Sequence, residues 1–248
     1  MEARRRIGII VPAPDGTSEP DFQRLFAPFG VTVHSHRLWL DRDIELETRF
    51  DRMNSEIEAA TKYLCNLKLS AIAYCCTGGE FSQRRGWDRE ILQLIESASG
   101  GTPAFAASPS VIKALRSVGA KKLSVITPYP DWHNQRLERY LEAKGFEVLN
   151  VDGHPTPSSG NAAIYEHDPE EIVEFGMEKC RPEADVLLCS CTDWRSLEVA
   201  SRLEELTGKT VITSNQATIW DISSKLGITG PIDGYGRLLE GLGAALSR

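Results

Sequence analysis

Short apolar, β-branched runs alternate with amphipathic stretches along nearly the whole chain, and this alternation limits the fold more than any other feature. The runs at 6–11 (RIGIIV), 70–75, 123–126, 148–151, 186–189 and 210–213 are bounded by turn residues and read as buried strands. Between them the apolar period lengthens to steps of three and four. The clearest case sets Leu46, Phe50, Met53, Ile57, Ala60, Leu64 and Leu67 on one stripe, which predicts a single helix over 46–67 facing the core or a subunit interface. Further helices are predicted over 134–144, 169–180, 194–206 and 216–226. Such βα alternation gives a parallel sheet with helices on both faces and places ligands outside the carboxyl ends of the strands.

The elements fall into two similar halves. Val11-Pro12-Ala13-Pro14-Asp15 follows a strand in the first half, and Thr127-Pro128-Tyr129-Pro130-Asp131 follows one in the second. Each Pro-x-Pro-Asp turn is succeeded by a strand ending in Cys-Thr, and the spacing from Asp15 to Cys76 differs by one residue from that between Asp131 and Cys191. Proline and aspartate favour turns on their own account, but two motifs in matching order and spacing read as a repeat. The chain is therefore an α/β protein of two pseudo-symmetric lobes, the first formed by 1–113 plus 216–248 and the second by 114–215, with strand ends facing across a cleft.

Charge and cysteine usage narrow the function. A net charge of −7 over 248 residues, with basic clusters only at Arg4-Arg5-Arg6 and Arg84-Arg85, argues against nucleic acid as a partner. No apolar run approaches a membrane span and no signal-peptide pattern opens the chain, so a cytoplasmic protein is expected. In that compartment the six cysteines are thiols. Cys75-Cys76 and Cys189-x-Cys191 lack the paired spacing that closes a zinc site, so no metal is expected. Cys65, Cys75, Cys180 and Cys189 read as small buried hydrophobes. The five histidines, at 34, 36, 133, 154 and 167, follow no triad or metal spacing, and no phosphate-loop pattern is present.

Cys76 and Cys191 are the candidate chemical groups. Each follows a strand and precedes a helix start, where backbone N–H groups and the helix dipole favour a thiolate. Thr77, Gly78 and Thr192 beside them can offer donors to a carboxylate. The hydroxyl of Tyr129, in the second Pro-x-Pro turn, belongs at the same cleft edge, and Asn161 lies in a glycine-bounded turn. With one thiol on each side of a bound carbon, one can add to it or remove its proton while the other supplies a proton from the opposite side. That chemistry requires no cofactor.

Arg6 to Pro12, Cys76-Thr77, Thr127-Pro128-Tyr129, Ser190-Cys191-Thr192 and the tail Asp233-Gly234-Tyr235-Gly236-Arg237-Leu238 together resemble the aspartate/glutamate racemase superfamily. Within it the chain is most similar to the maleate cis-trans isomerase and arylmalonate decarboxylase branch. The resemblance implies two Rossmann-like lobes, a cofactor-free site between them and a homodimer or larger homo-oligomer. It implies a small carboxylate or dicarboxylate substrate, with Cys76 as nucleophile, Cys191 as acid and base, and Tyr129 and Asn161 holding carboxylates. Decarboxylases of this branch keep the second cysteine and have glycine at the first position, so Cys76 favours isomerase chemistry: addition to maleate, bond rotation and elimination as fumarate.

Three positions depart from the isomerase pattern, which carries asparagine in the first turn and Ser-Gly-Ser after Cys-Thr. Here the residues are Asp15 and Gly78-Gly79-Glu80. An ionised Asp15 or Glu80 repels a dianion unless it is protonated or turned away. The alternatives are an aspartate, glutamate or hydantoin-type racemase working by two-thiol proton transfer, an arylmalonate-type decarboxylase, and a two-lobed protein that only binds small carboxylates.

Overall fold

The computed structural model describes residues 5–41, 43–81, 86–155 and 161–242, without the side chains of 46, 47 and 161–163. Arg4, Arg84, Arg85 and Gly160 lie outside the described residues. Two parallel four-stranded sheets carry the fold. The first contains β1 (Arg6–Pro12), β2 (Thr32–Leu38), β3 (Ala71–Tyr74) and β4 (Ala104–Ala106), in the order β2-β1-β3-β4. The second contains β5 (Lys122–Thr127), β6 (Glu147–Gly153), β7 (Val186–Cys189) and β8 (Thr210–Thr213), in the order β6-β5-β7-β8. The same order in both sheets is the repeat expected from the sequence.

In the first half lie helices α1 (Ser18–Phe26), α2 (Leu46–Asn54), α3 (Ile57–Leu64), α4 (Thr77–Phe81), α5 (Trp87–Ala98) and α6 (Ala107–Ser117). The second half adds α7 (Asp131–Ala143), α8 (Pro169–Lys179), α9 (Ala200–Thr207), α10 (Ser214–Leu226) and α11 (Arg237–Glu240). Alternation along β1 sorts its side chains: Ile7, Ile9 and Val11 enter a core with Phe22 and Phe26, while Ile10 enters one with Ile72, Met53 and Ile57. The second sheet divides likewise between Leu123, Val125 and Leu188 on one face and Ile126, Leu187 and Val211 on the other. Helix α10 contributes Ile219 and Ile222 to the core around β1 and Ala217 to the core around β5.

The single helix expected over 46–67 is two. It breaks at Ser55 and Glu56, where Asn54 turns inward, donating to the Gly79 carbonyl (2.9 Å) and accepting from the Tyr74 hydroxyl (2.6 Å). Phe50, Met53, Ile57, Ala60 and Leu64 still share one core, Leu67 is exposed, and the side chain of Leu46 lies outside the described residues. The helix expected over 194–206 begins as a 3-10 turn, Arg195–Val199, before α9. Cys75 and Cys189 are buried as expected, whereas Cys65 and Cys180 are partly exposed because they close α3 and α8 at the surface. No described helix is long and apolar enough to cross a membrane.

Candidate active site

Strands β3 and β7 occupy corresponding places in the two sheets, and each passes through a cysteine into a turn at its carboxyl end. Cys75 and Cys189 stay in the cores, while Cys76 and Cys191 line a small cavity of about 60 Å³ between the lobes. Asp15, Thr77, Gly78, Tyr129 and Thr192 line the same cavity. Pro12, Pro14, Leu40, Phe50 and Ile164 supply its apolar wall, and Asp193 completes it. Of the residues expected from the sequence, only Asn161 is not placed: it opens a 3-10 turn, Asn161–Glu166, and its side chain lies outside the described residues. A larger groove around Cys180 lies wholly on the second lobe and brings no second thiol.

Glycines let the cavity close. The Gly79 N–H donates to Cys76 Sγ at 3.3 Å, and a Cβ on Gly79 would stand 2.5 Å from the Tyr74 hydroxyl oxygen. Gly153 plays the same part across the cleft, since a Cβ there would lie 2.2 Å from the Tyr129 carbonyl oxygen. The Tyr129 turn is fixed by Asn134, whose amide donates to that carbonyl (3.1 Å), and by Thr127 Oγ1, which accepts from the Tyr129 N–H (3.0 Å). Its hydroxyl then meets Thr77 Oγ1 at 3.1 Å and shares a hydrogen bond with Cys191. His133, one helical turn into α7, stacks on the Tyr129 ring with centroids 4.6 Å apart. Burial holds that imidazole down at about 4, so it braces the tyrosine as a neutral ring.

The expectation that the strand ends favour thiolates is corrected. Cys76 and Cys191 are only 6% and 5% exposed, and burial pushes Cys76 up to about 12 and Cys191 well above the ordinary thiol range. Hydrogen bonds from the Gly79 N–H and Tyr74 to Cys76, and from Tyr129 and the Asp193 backbone N–H to Cys191, pull in the other direction without overcoming it. The nearby charges are the carboxylates of Asp15, Glu80 and Asp193, which oppose a thiolate. Both sulfurs are therefore held as thiols at neutral pH.

The two acids that departed from the isomerase pattern have different fates. Glu80 turns away from the cavity and accepts the N–H groups of Ala107 (2.9 Å) and Ser108 (2.8 Å), capping α6, whose own N-cap residue Ala106 has no side chain for the task. Asp15 stays in the cavity wall. It accepts from the N–H groups of Thr17 (3.0 Å) and Ser18 (2.8 Å) and from the Ser18 hydroxyl (2.7 Å) at the start of α1. Asp193, which the sequence reading passed over, accepts from the Gly16 N–H at 2.7 Å. Burial raises both acids, Asp15 to about 6 and, with Asp15 itself as a further cause, Asp193 to about 8.

Further bonds bind the lobes at these same turns. Thr17 Oγ1 donates to the Asp193 carbonyl (2.9 Å), Thr192 Oγ1 to the Cys75 carbonyl (3.2 Å), and Asn215 to both the Thr192 carbonyl and the Asp21 carboxyl (2.9 Å each).

A profile of the arylmalonate decarboxylase family matches residues 7–239. The chain belongs to the arylmalonate decarboxylase family. A maleate isomerase from Pseudomonas putida is 25% identical over 248 residues, covering 95% of this chain and 97% of the relative. A solved maleate isomerase structure from the same species superposes on this arylmalonate decarboxylase family member with a TM-score of 0.90 at 24% identity, covering 96% of this chain and 99% of that one. A Nocardia farcinica maleate cis-trans isomerase, solved as a cysteine-to-serine mutant with a covalently bound succinylcysteine intermediate, gives 0.86 at 21% identity, covering 95% and 98%. At these identities the structural likeness is one of fold.

Proposed function

We propose that this protein is a cofactor-independent, two-cysteine isomerase of small unsaturated dicarboxylates or their close derivatives, with maleate to fumarate as the reference reaction. The observation that carries this reading is the pair of thiols, Cys76 from one lobe and Cys191 from the other, lining one cavity. A one-thiol decarboxylation needs no partner for Cys191, and a simple binding protein needs neither. The Nocardia relative with its succinylcysteine supports the same chemistry.

Cys76 Sγ bonds to one alkene carbon as its proton passes to a carboxylate of the cavity wall, and Cys191 delivers its proton to the other carbon. The π bond is thereby replaced by a single bond, which rotates. Cys191 then takes a proton back from carbon, the C–S bond breaks with formation of the trans alkene, and Cys76 regains its proton. The hydroxyls of Thr77, Thr192 and Tyr129 orient the carboxylate that stays fixed, and the family resemblance assigns Asn161 to the other end. Location in the cytoplasm and assembly as a homo-oligomer are part of the proposal, supported by reduced cysteines and by the family resemblance.

Purified protein incubated with maleate, aspartate, glutamate, hydantoins and arylmalonates, followed by proton NMR, tests the reading. Fumarate forms from maleate, Cys76→Ala abolishes it, and Cys191→Ser accumulates an adduct on Cys76 heavier by one maleic acid. Racemisation of an amino acid without turnover of any cis-butenedioic derivative, or full activity in Cys76→Ala, would overturn it.

A further inference from the structure

The cavity wall is unusual in its charge. Asp15 and Asp193 stand in it together, and among its described lining residues there is no lysine, arginine or histidine. Arg37 is the cation that acts on both acids, but its guanidinium is spent on Glu19 and on the carbonyls of Ala13 (2.9 Å) and Asp15 (2.7 Å), outside the cavity. The other titratable groups acting on the pair are Asp21 of α1 and the thiols Cys75, Cys76 and Cys191, none of which brings positive charge. The two carboxyls also retain acceptor capacity. A carboxylate has about four acceptor positions; Asp15 uses three in the first turn of α1, and Asp193 receives the Gly16 N–H.

Once ionised, Asp15 above about pH 6 and Asp193 above about pH 8, the pair are two acceptors without a cation, which suit a hydrogen-bond donor and disfavour a second negative charge. The other side of the cavity differs: Thr77, Tyr129 and Thr192 present hydroxyls, as a carboxylate requires. We infer that Asp15 and Asp193 are specificity-determining residues that select a monoanion, a cis-alkene acid with one carboxylate and one neutral, donor-bearing end such as a primary amide, over a dicarboxylate dianion. This rests on the proposed isomerase function and narrows its substrate class. The amide N–H groups donate to the aspartate pair while the carboxylate lies toward the hydroxyls, leaving the alkene between Cys76 and Cys191.

The test separates charge selection from chemistry. Binding of the saturated, unreactive analogues succinate and succinamate is measured by calorimetry at about pH 9, above the values of both acids. Succinamate is expected to bind at least tenfold more tightly, and Asp193→Asn, which keeps an acceptor for Gly16, to narrow the ratio at least fivefold; Asp15→Asn should act in the same direction. Turnover of maleate and maleamate by the wild type should show the same preference in kcat/KM. Equal or tighter binding of succinate, or a ratio unmoved by both variants, overturns the inference while maleate turnover leaves the isomerase reading standing. If succinamate is preferred but neither alkene is isomerised, the charge rule holds and the proposed reaction fails. Binding of neither analogue overturns both.

Discussion

Tyr129 shows how much of the site depends on a single hydroxyl. It bridges Thr77 of one lobe and Cys191 of the other, and its backbone is clamped by Asn134 and Thr127. Tyr129→Phe should retain the ring stack with His133 and the fold, yet lower kcat by about 100-fold, the scale for losing one aligned donor at a reacting centre. Steady-state kinetics beside near-ultraviolet circular dichroism checks this; activity within threefold of wild type would remove the hydroxyl from the mechanism. The sequence made Tyr129, Cys76 and Cys191 legible because each repeats a turn found in the other half. Asp193 escaped notice because its meaning comes from Asp15, a residue of the other lobe, and nothing local announces that partnership.

Among the elements, the turn after Cys76 gives the clearest lesson. Glu80 reads in sequence as a charge beside the site, but it is the cap of α6, reached only because α4 ends against that helix. Glu80→Ala should leave two helix-terminal N–H groups buried without an acceptor and lower unfolding stability by about 2 kcal/mol. Urea denaturation measures it, and an unchanged midpoint would mean water replaces the carboxylate at no cost. Strands β1, β3, β5 and β7 were legible because they are central, apolar runs. Strand β2 was not, since its His34-Ser35-His36-Arg37 sequence is that of a half-exposed edge, and β4 is only three residues long. The break between α2 and α3 was hidden by a stripe that stays in phase across it, so periodicity alone could not reveal where Asn54 turns inward.

At the scale of the whole molecule, buried acids set the response to pH. Asp15, Asp21 and Asp193 are raised from 3.8 to about 6, 7 and 8, chiefly by burial. The folded protein thus keeps protons that the unfolded chain releases above about pH 4, so their relative stabilising effect is full below that point and is lost as pH rises toward 8. The buried Glu80 and Glu204 are raised in the same sense, whereas His133, lowered to about 4, works in the opposite sense between pH 4 and 6.5, and the lowered His167 and Asp185 share that opposite sense. Each pKa unit corresponds to about 1.4 kcal/mol. The melting temperature should therefore be higher near pH 5.5 than at pH 8.5, and Asp193→Asn should flatten the slope between pH 6.5 and 8. A melting temperature that climbs across that interval would refute the assignment.

Several of the hydrogen bonds between the lobes are made at the turns that carry the two thiols: Gly16 to Asp193, Thr192 to Cys75, and Thr77 to Tyr129. The molecule is like a book stitched through the page that carries the text as well as along its covers, where Asp88 holds Tyr140 and Lys144. Swinging the covers apart would tear the stitches and undo the alignment of the sulfurs at the same time. Leu40, Phe50 and Ile164 wall the same cavity with apolar side chains that take no part in those bonds, so a smaller residue there enlarges the cavity and leaves the stitches in place.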